Sequence, residues 1–137
     1  MNLEIDRHCF VRGPDNKRGL QLRFEHSDGK ASVRCTIDPA YQGYSGVSHG
    51  GIIAALLDET MVYAAVSLGH WVATAEMTVR YSKPVPIGEP VTVRAEVTRH
   101  QRRLVECAAE MLSEDGTVLA TATAKLVQGR AVVPGER

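Results

Sequence analysis

At 137 residues the chain is long enough for one domain around one hydrophobic core and short of the size at which chains usually divide. Lys plus Arg and Asp plus Glu each total 16, so no net field draws the chain to nucleic acid or to an anionic membrane, and an anionic ligand has to be met by a local cluster. No apolar stretch approaches the roughly 20 residues that cross a bilayer, and the first residues lack a signal-peptide core, so the expectation is a cytoplasmic protein with no membrane partner.

Cysteines occur at positions 9, 35 and 107 with no CxxC pair, which points to reduced thiols rather than a disulfide scaffold or a zinc site. Cys35 and Cys107 fall in alternating runs where a small buried side chain fits. The histidines at 8, 26, 70 and 100 sit in or near turns without metal-ligand spacing, so no metal is expected.

In chain order, residues 1–19 are mixed and turn-rich, with Gly13-Pro14-Asp15-Asn16 breaking any regular element. Residues 20–24 and 31–37 read as two short strands joined at His26-Ser27-Asp28-Gly29, an opening hairpin. The segment DPAYQGYSG, residues 38–46, reads as a loop.

A helix is predicted over 50–68. Ser48 is placed to cap it, Gly50 and Gly51 open it, and Ile52, Ile53, Leu56, Leu57, Met61, Ala64 and Ala65 recur at helical spacing until Gly69 ends it. Nearly every face is apolar, which predicts deep burial and makes Asp58 and Glu59 conspicuous. Four alternating runs follow, at 72–81, 91–98, 103–112 and 117–127, separated by Pro84, Pro86 and Gly88, by residues 100–102, and by Glu114-Asp115-Gly116. The order of two strands, a long helix and four strands implies an α+β fold in which an antiparallel sheet of about six strands wraps one central helix. The core is expected over about 20–128 of a single 1–137 domain, with a loose tail after Gln128.

Gly46-Val47-Ser48-His49-Gly50 fits G-x-S-x-G, the nucleophile elbow of serine hydrolases. That motif needs a buried strand before it and a parallel sheet around it, and DPAYQGY is no such strand. A helix opening on two glycines offers something else: unpaired N–H groups at the positive end of the dipole, with no side chain in the way, where a carbonyl could gain negative charge. Asp58, on the stripe of Ala54 and Val62, suits a general base or a nucleophile.

Three segments, GYSGVSHGGIIAALLDE (43–59), VATAEMTVRYSKP (72–84) and EDGTVLATATAKL (114–126), resemble the hotdog-fold thioesterases of the phenylacetate-degradation type, over roughly residues 20–128. The resemblance implies hydrolysis of an acyl-CoA or aryl-CoA thioester. It assigns Asp58 as base or nucleophile, the Gly50 N–H as the group polarising the carbonyl, His49 as its assistant, and Thr74 as a hydroxyl holding the attacking water or the carboxylate. It further implies a homodimer or dimer of dimers in which Asp58 of one subunit faces the donors of another, and no cofactor beyond the CoA of the substrate.

Gln42, Ser48, Gly51 and Glu59 are candidate substrate contacts, with Glu59 lying about 100° round the helix from Asp58 and better suited to an interface or rim. Arg80, Lys83, Arg99, Arg102 and Arg103 are candidates for the CoA phosphates. The family places an Asn six residues before the His, and this chain has Gly43 there, leaving Gln42, Tyr44 or Ser48 to substitute. The rival functions are a non-catalytic acyl-CoA-binding module of the same fold and an enoyl-CoA hydratase of the same fold.

Overall fold

Alternation of apolar and polar residues over four consecutive segments builds most of a six-stranded antiparallel sheet. The computed structural model describes residues 1–133. Its elements are β1 (Asn2–Glu4), β2 (Glu25–Ser27), β3 (Lys30–Thr36), a single 3-10 turn (Pro39–Tyr41), α1 (Gly50–Val66), β4 (Val72–Tyr81), β5 (Pro90–Gln101), β6 (Leu104–Ser113), β7 (Val118–Gln128) and β8 (Arg130–Val132). The large sheet runs β2-β3-β5-β6-β7-β4, every pair antiparallel. One helix on one sheet is the architecture expected from the sequence.

The sheet buries one face. In β6, Val105, Cys107, Ala109 and Met111 are buried, while Glu106, Ala108 and Glu110 point the other way. They meet the helix through Leu56, Leu57 and Met61, each essentially without exposure, and Ala120, Ala122, Ala124 and Leu126 of β7 extend the same surface. Burial pushes the Cys107 thiol up to about 12, so this cysteine is an inert core side chain, while Cys35 is half-buried against the same core.

The opening hairpin differs from expectation. Residues 20–24 form no strand: Gln21 has a φ of 51°, which breaks the extended run, and the backbone N–H groups of Leu20 and Leu22 donate to the carbonyls of Phe10 and Val11 instead. Leu20, Leu22 and Phe24 still pack on the core as part of an irregular strap, and the paired strand is the short β2, which contains His26. The helix stops at Val66, two residues early, because the Ser67 hydroxyl donates to the Ala64 carbonyl and accepts from Gly29 N–H in the β2–β3 turn. Gly69, at φ 84°, then turns the chain into β4.

The tail expected after Gln128 also differs. β8 pairs in parallel with β1, and Gly129 packs against Leu3, so the two ends of the described chain form a small second sheet. Residues 134–137 of that tail lie outside the described residues. No described helix is long and apolar enough to cross a membrane.

Candidate active site

Asp58 and Thr74 come together. α1 carries Asp58 on its half-buried stripe with Ala54 and Val62, β4 runs past it, and the Thr74 hydroxyl donates to Asp58 Oδ1 at 2.5 Å, a length in the charge-assisted range. Asp58 Oδ2 has no partner among the described residues, so one oxygen is held and the other is open.

A strand irregularity makes this contact. Thr74 pairs with Leu126 and Glu76 with Lys125, so Ala75 is an extra residue in β4, a bulge. In an unbroken strand Thr74 would share a face with Glu76, Thr78 and Arg80, away from the helix. With the bulge, Thr74 faces the helix together with Met77, Val79 and Tyr81, which lie opposite Ala124, Ala122 and Ala120.

At the other end of the same helix stretch, His49 is the N-cap, not Ser48: its Nδ1 accepts from Gly51 N–H at 2.9 Å. Ser48 is buried with its N–H on the Val85 carbonyl and its hydroxyl donating to the His49 carbonyl, so its side chain bonds the cap carbonyl and accepts from no helix N–H. With Nδ1 accepting, the proton of the neutral imidazole is on Nε2, which is exposed and available as a donor. Gly51 N–H is thereby used, and the free backbone donor is Gly50 N–H, which has no partner among the described residues. The Tyr81 ring lies against Gly50, and its hydroxyl donates to the Gly50 carbonyl at 2.9 Å.

Gly50 and Asp58 of one chain do not meet. Eight residues of helix separate them by about 12 Å. The two candidate groups therefore stand apart along α1, with half-buried Ala54 between them and half-buried Val62 beyond Asp58.

Other expected residues are placed elsewhere. Gln42 folds back on its own loop, its side-chain carbonyl accepting from Gly46 N–H. A Cβ at Gly43 would stand 3.2 Å from the His49 Cα, so the glycine permits the loop to close on the cap, and an Asn there would press on it. Tyr44 is exposed.

Glu59 is taken up by the N-terminal strap. Arg12 donates to Glu59 Oε1 at 3.1 Å, and the Cys9 thiol approaches Glu59 Oε2 at 3.6 Å. Arg12 also lies over the Tyr63 ring, which stacks on Phe24. The Glu59 side chain is 13% exposed, and burial raises its pKa above the ordinary 4.5 against the opposing pull of Arg12. A sequence reading has no signal for this strap, since residues 9–12 show no periodicity.

The basic residues do not form one cluster within a chain. Arg103 bonds the Gln128 carbonyl at one end of β7, while Lys83 N–H donates to Leu119 O at the other, about 30 Å along the strand. Arg102 and Arg103 form the β5–β6 turn, beside which His100 contacts His70, ring centroids 4.1 Å apart. Arg80 lies on the sheet face opposite the helix, where it lines a concavity of about 960 Å³ with Thr78, Arg94, Glu110, Thr121 and Thr123. That concavity contains neither Asp58 nor Thr74. Among the described residues no group of three or more His, Cys, Asp or Glu is arranged to hold a metal.

The chain is similar to known proteins in sequence and in fold. The sequence model described as Thioesterase superfamily matches residues 45–120. The acyl-coenzyme A thioesterase THEM4 of Xenopus laevis is 36% identical over 127 residues, covering 90% of this chain and 57% of the relative. This chain thus spans about half the length of the curated relatives it matches. Among solved structures, a thioesterase superfamily protein superposes with a TM-score of 0.83 at 32% identity, covering 89% of this chain and 61% of that one. The E. coli PaaI protein of the phenylacetic acid degradation operon superposes with a TM-score of 0.75 at 21% identity, covering 80% and 84%.

Proposed function

This chain belongs to the thioesterase superfamily, and on that premise we propose that it hydrolyses acyl-CoA thioesters on its hotdog fold. The observation that carries the reading is the Thr74–Asp58 hydrogen bond, which fixes one carboxylate oxygen and leaves the other without a partner among the described residues. The relative's name, an acyl-coenzyme A thioesterase, supports the substrate class.

In the proposed reaction the thioester carbonyl lies on Gly50 N–H and His49 Nε2–H. Both donors aim at the oxygen that becomes negative, and removing one such donor typically costs on the order of 3 kcal/mol in the transition state. Asp58 either takes a proton from water through Oδ2 as the water oxygen adds to the carbonyl carbon, or attacks that carbon itself to form an anhydride that water then hydrolyses. On both routes the C–S bond breaks, CoA leaves as the thiol with a proton from the water, the acyl group leaves as the acid, and Thr74 keeps the carboxylate in place. Water is the only co-reactant, so the proposal includes no metal or cofactor.

Because Gly50 and Asp58 of one chain stand about 12 Å apart, the proposed site is shared by two subunits, the donors from one and the carboxylate from the other. The half-buried helix stripe around Asp58 and the unpaired outer edge of β4 support this pairing. In this pairing the opposite ends of the basic set, Arg80 with Lys83 and Arg102 with Arg103, reach the CoA phosphates from different subunits. Three free thiols support a reducing compartment such as the cytoplasm.

Thiol release from short-chain, long-chain, phenylacetyl and hydroxybenzoyl CoA esters tests the reading. Release by the wild type that Asp58→Asn abolishes is the expected result. Binding of CoA esters without release by the wild type would leave a non-catalytic binding module, and water addition to an enoyl-CoA without thiol release would leave a hydratase.

A further inference from the structure

We propose that Tyr81 is a positioning residue for the carbonyl-polarising donor of the active site, acting through the Gly50–Gly51 peptide. The inference rests on the thioesterase reading and deepens it. That peptide is held from both sides: its carbonyl accepts from the Tyr81 hydroxyl at 2.9 Å and its N–H donates to His49 Nδ1 at 2.9 Å. The Tyr81 ring covers the α-carbon of Gly50, with ring atoms and hydroxyl 3.6 Å from the point a Cβ would occupy.

The helix needs this help because its first two residues are glycines. They clear space for a substrate, but they also carry the greatest backbone freedom of any residue, at the end of a helix where intrahelical bonds are fewest. A donor whose direction wanders polarises a carbonyl poorly, and misplacement by an ångström can cost a hundredfold in rate. Tyr81 fixes the carbonyl of Gly50 itself, one peptide unit along from the Gly50 N–H, and so restricts the direction in which that N–H points. Its hydroxyl proton is already committed to the Gly50 carbonyl, which leaves Tyr81 no proton to give the substrate and makes its action indirect.

Strand geometry supports the assignment. Thr74 and Tyr81 are seven residues apart, an odd spacing that would place them on opposite faces of a regular strand. The Ala75 bulge turns both toward the helix, so one strand holds the carboxylate through Thr74 and the donor peptide through Tyr81.

The test compares wild type, Tyr81→Phe and Tyr81→Leu in steady-state hydrolysis of the best CoA ester, with amide spectra of protein labelled with 15N-glycine. Tyr81→Phe keeps the ring and loses the hydroxyl. The expected result is a kcat lowered about tenfold with KM within about twofold, and Gly50 and Gly51 amide signals that shift while the signals of Gly116 and Gly129 stay in place. Unchanged kcat in Tyr81→Phe, with loss only in Tyr81→Leu, would mean that the ring merely packs, and it overturns the inference while leaving the thioesterase reading intact. Unmoved Gly50 and Gly51 signals in Tyr81→Phe overturn it as well, even if that variant is slow. Failure of the wild type itself to release thiol removes the reading and the inference together.

Discussion

Thr74 and Asp58, sixteen residues apart on a strand and a helix, are joined by a single 2.5 Å hydrogen bond in which the hydroxyl donates to the carboxylate. The bond separates two roles that a substitution series can resolve. Asp58→Asn is expected to lower turnover by about two orders of magnitude or more, the usual contribution of a general base. Thr74→Val keeps the shape and loses only the donor, and it is expected to lower kcat between about tenfold and a hundredfold, as for a hydrogen bond to a charged group. Thr74→Ser restores most of it. Steady-state thiol release on folded variants measures all three, and a fully active Thr74→Val would free the hydroxyl from any role.

His49 carries a structural and a chemical duty on its two ring nitrogens, and they come apart by mutation. His49→Ala loses the cap and is expected to cost about 1 kcal/mol of stability together with activity. Asn is a good cap but cannot present an imidazole Nε2–H, so His49→Asn is expected to melt near the wild type and still turn over slowly. Thermal unfolding alongside kinetics reads both, and an active His49→Asn would confine His49 to capping.

Sharing of the site between subunits predicts complementation. Asp58→Asn and His49→Ala proteins, each nearly inactive alone, are expected to recover activity when unfolded together and refolded. Random pairing gives about a quarter of sites both intact partners. Activity that never exceeds the sum of the two separate variants would put the donors and carboxylate of each working site in one chain.

Glu59 predicts a pH dependence of stability, with a sign that follows from its burial. Its folded-state pKa is raised above 4.5, so just above that value the folded chain holds a proton that the unfolded chain has lost. Stability is therefore expected to fall as pH rises through that window. In Glu59→Gln this part of the slope disappears. Denaturant unfolding from pH 4 to 7 measures it, and identical slopes in the two proteins would remove Glu59 as the source.

The helix, its two glycines, Asp58 and the four later strands are legible in the sequence because each is a local pattern: helical spacing, alternation or a turn residue. Thr74 is legible only through family resemblance, since simple alternation puts it on the wrong face with Glu76 and Thr78. The strap is illegible for a different reason. Arg12 and Cys9 reach Glu59 across 47 and 50 residues, and no periodicity records a contact of that range. Likewise the pairing of β1 with β8 joins three-residue segments from the two ends of the described chain, too short to leave a pattern. Glycine at 43 looks like a missing donor until the close approach of His49 supplies its reason.

Ten residues of β4 lie opposite nine of β7, and Ala75 is the surplus. The chain thus has one codon at this point that it can lose without any side chain changing sides: with Ala75 deleted, Thr74 still turns toward Asp58 and Tyr81 still turns toward Gly50. Homologous chains are then free to carry the hydroxyl six or seven positions before the tyrosine, and a search pattern written with one fixed gap will pass over those with the other.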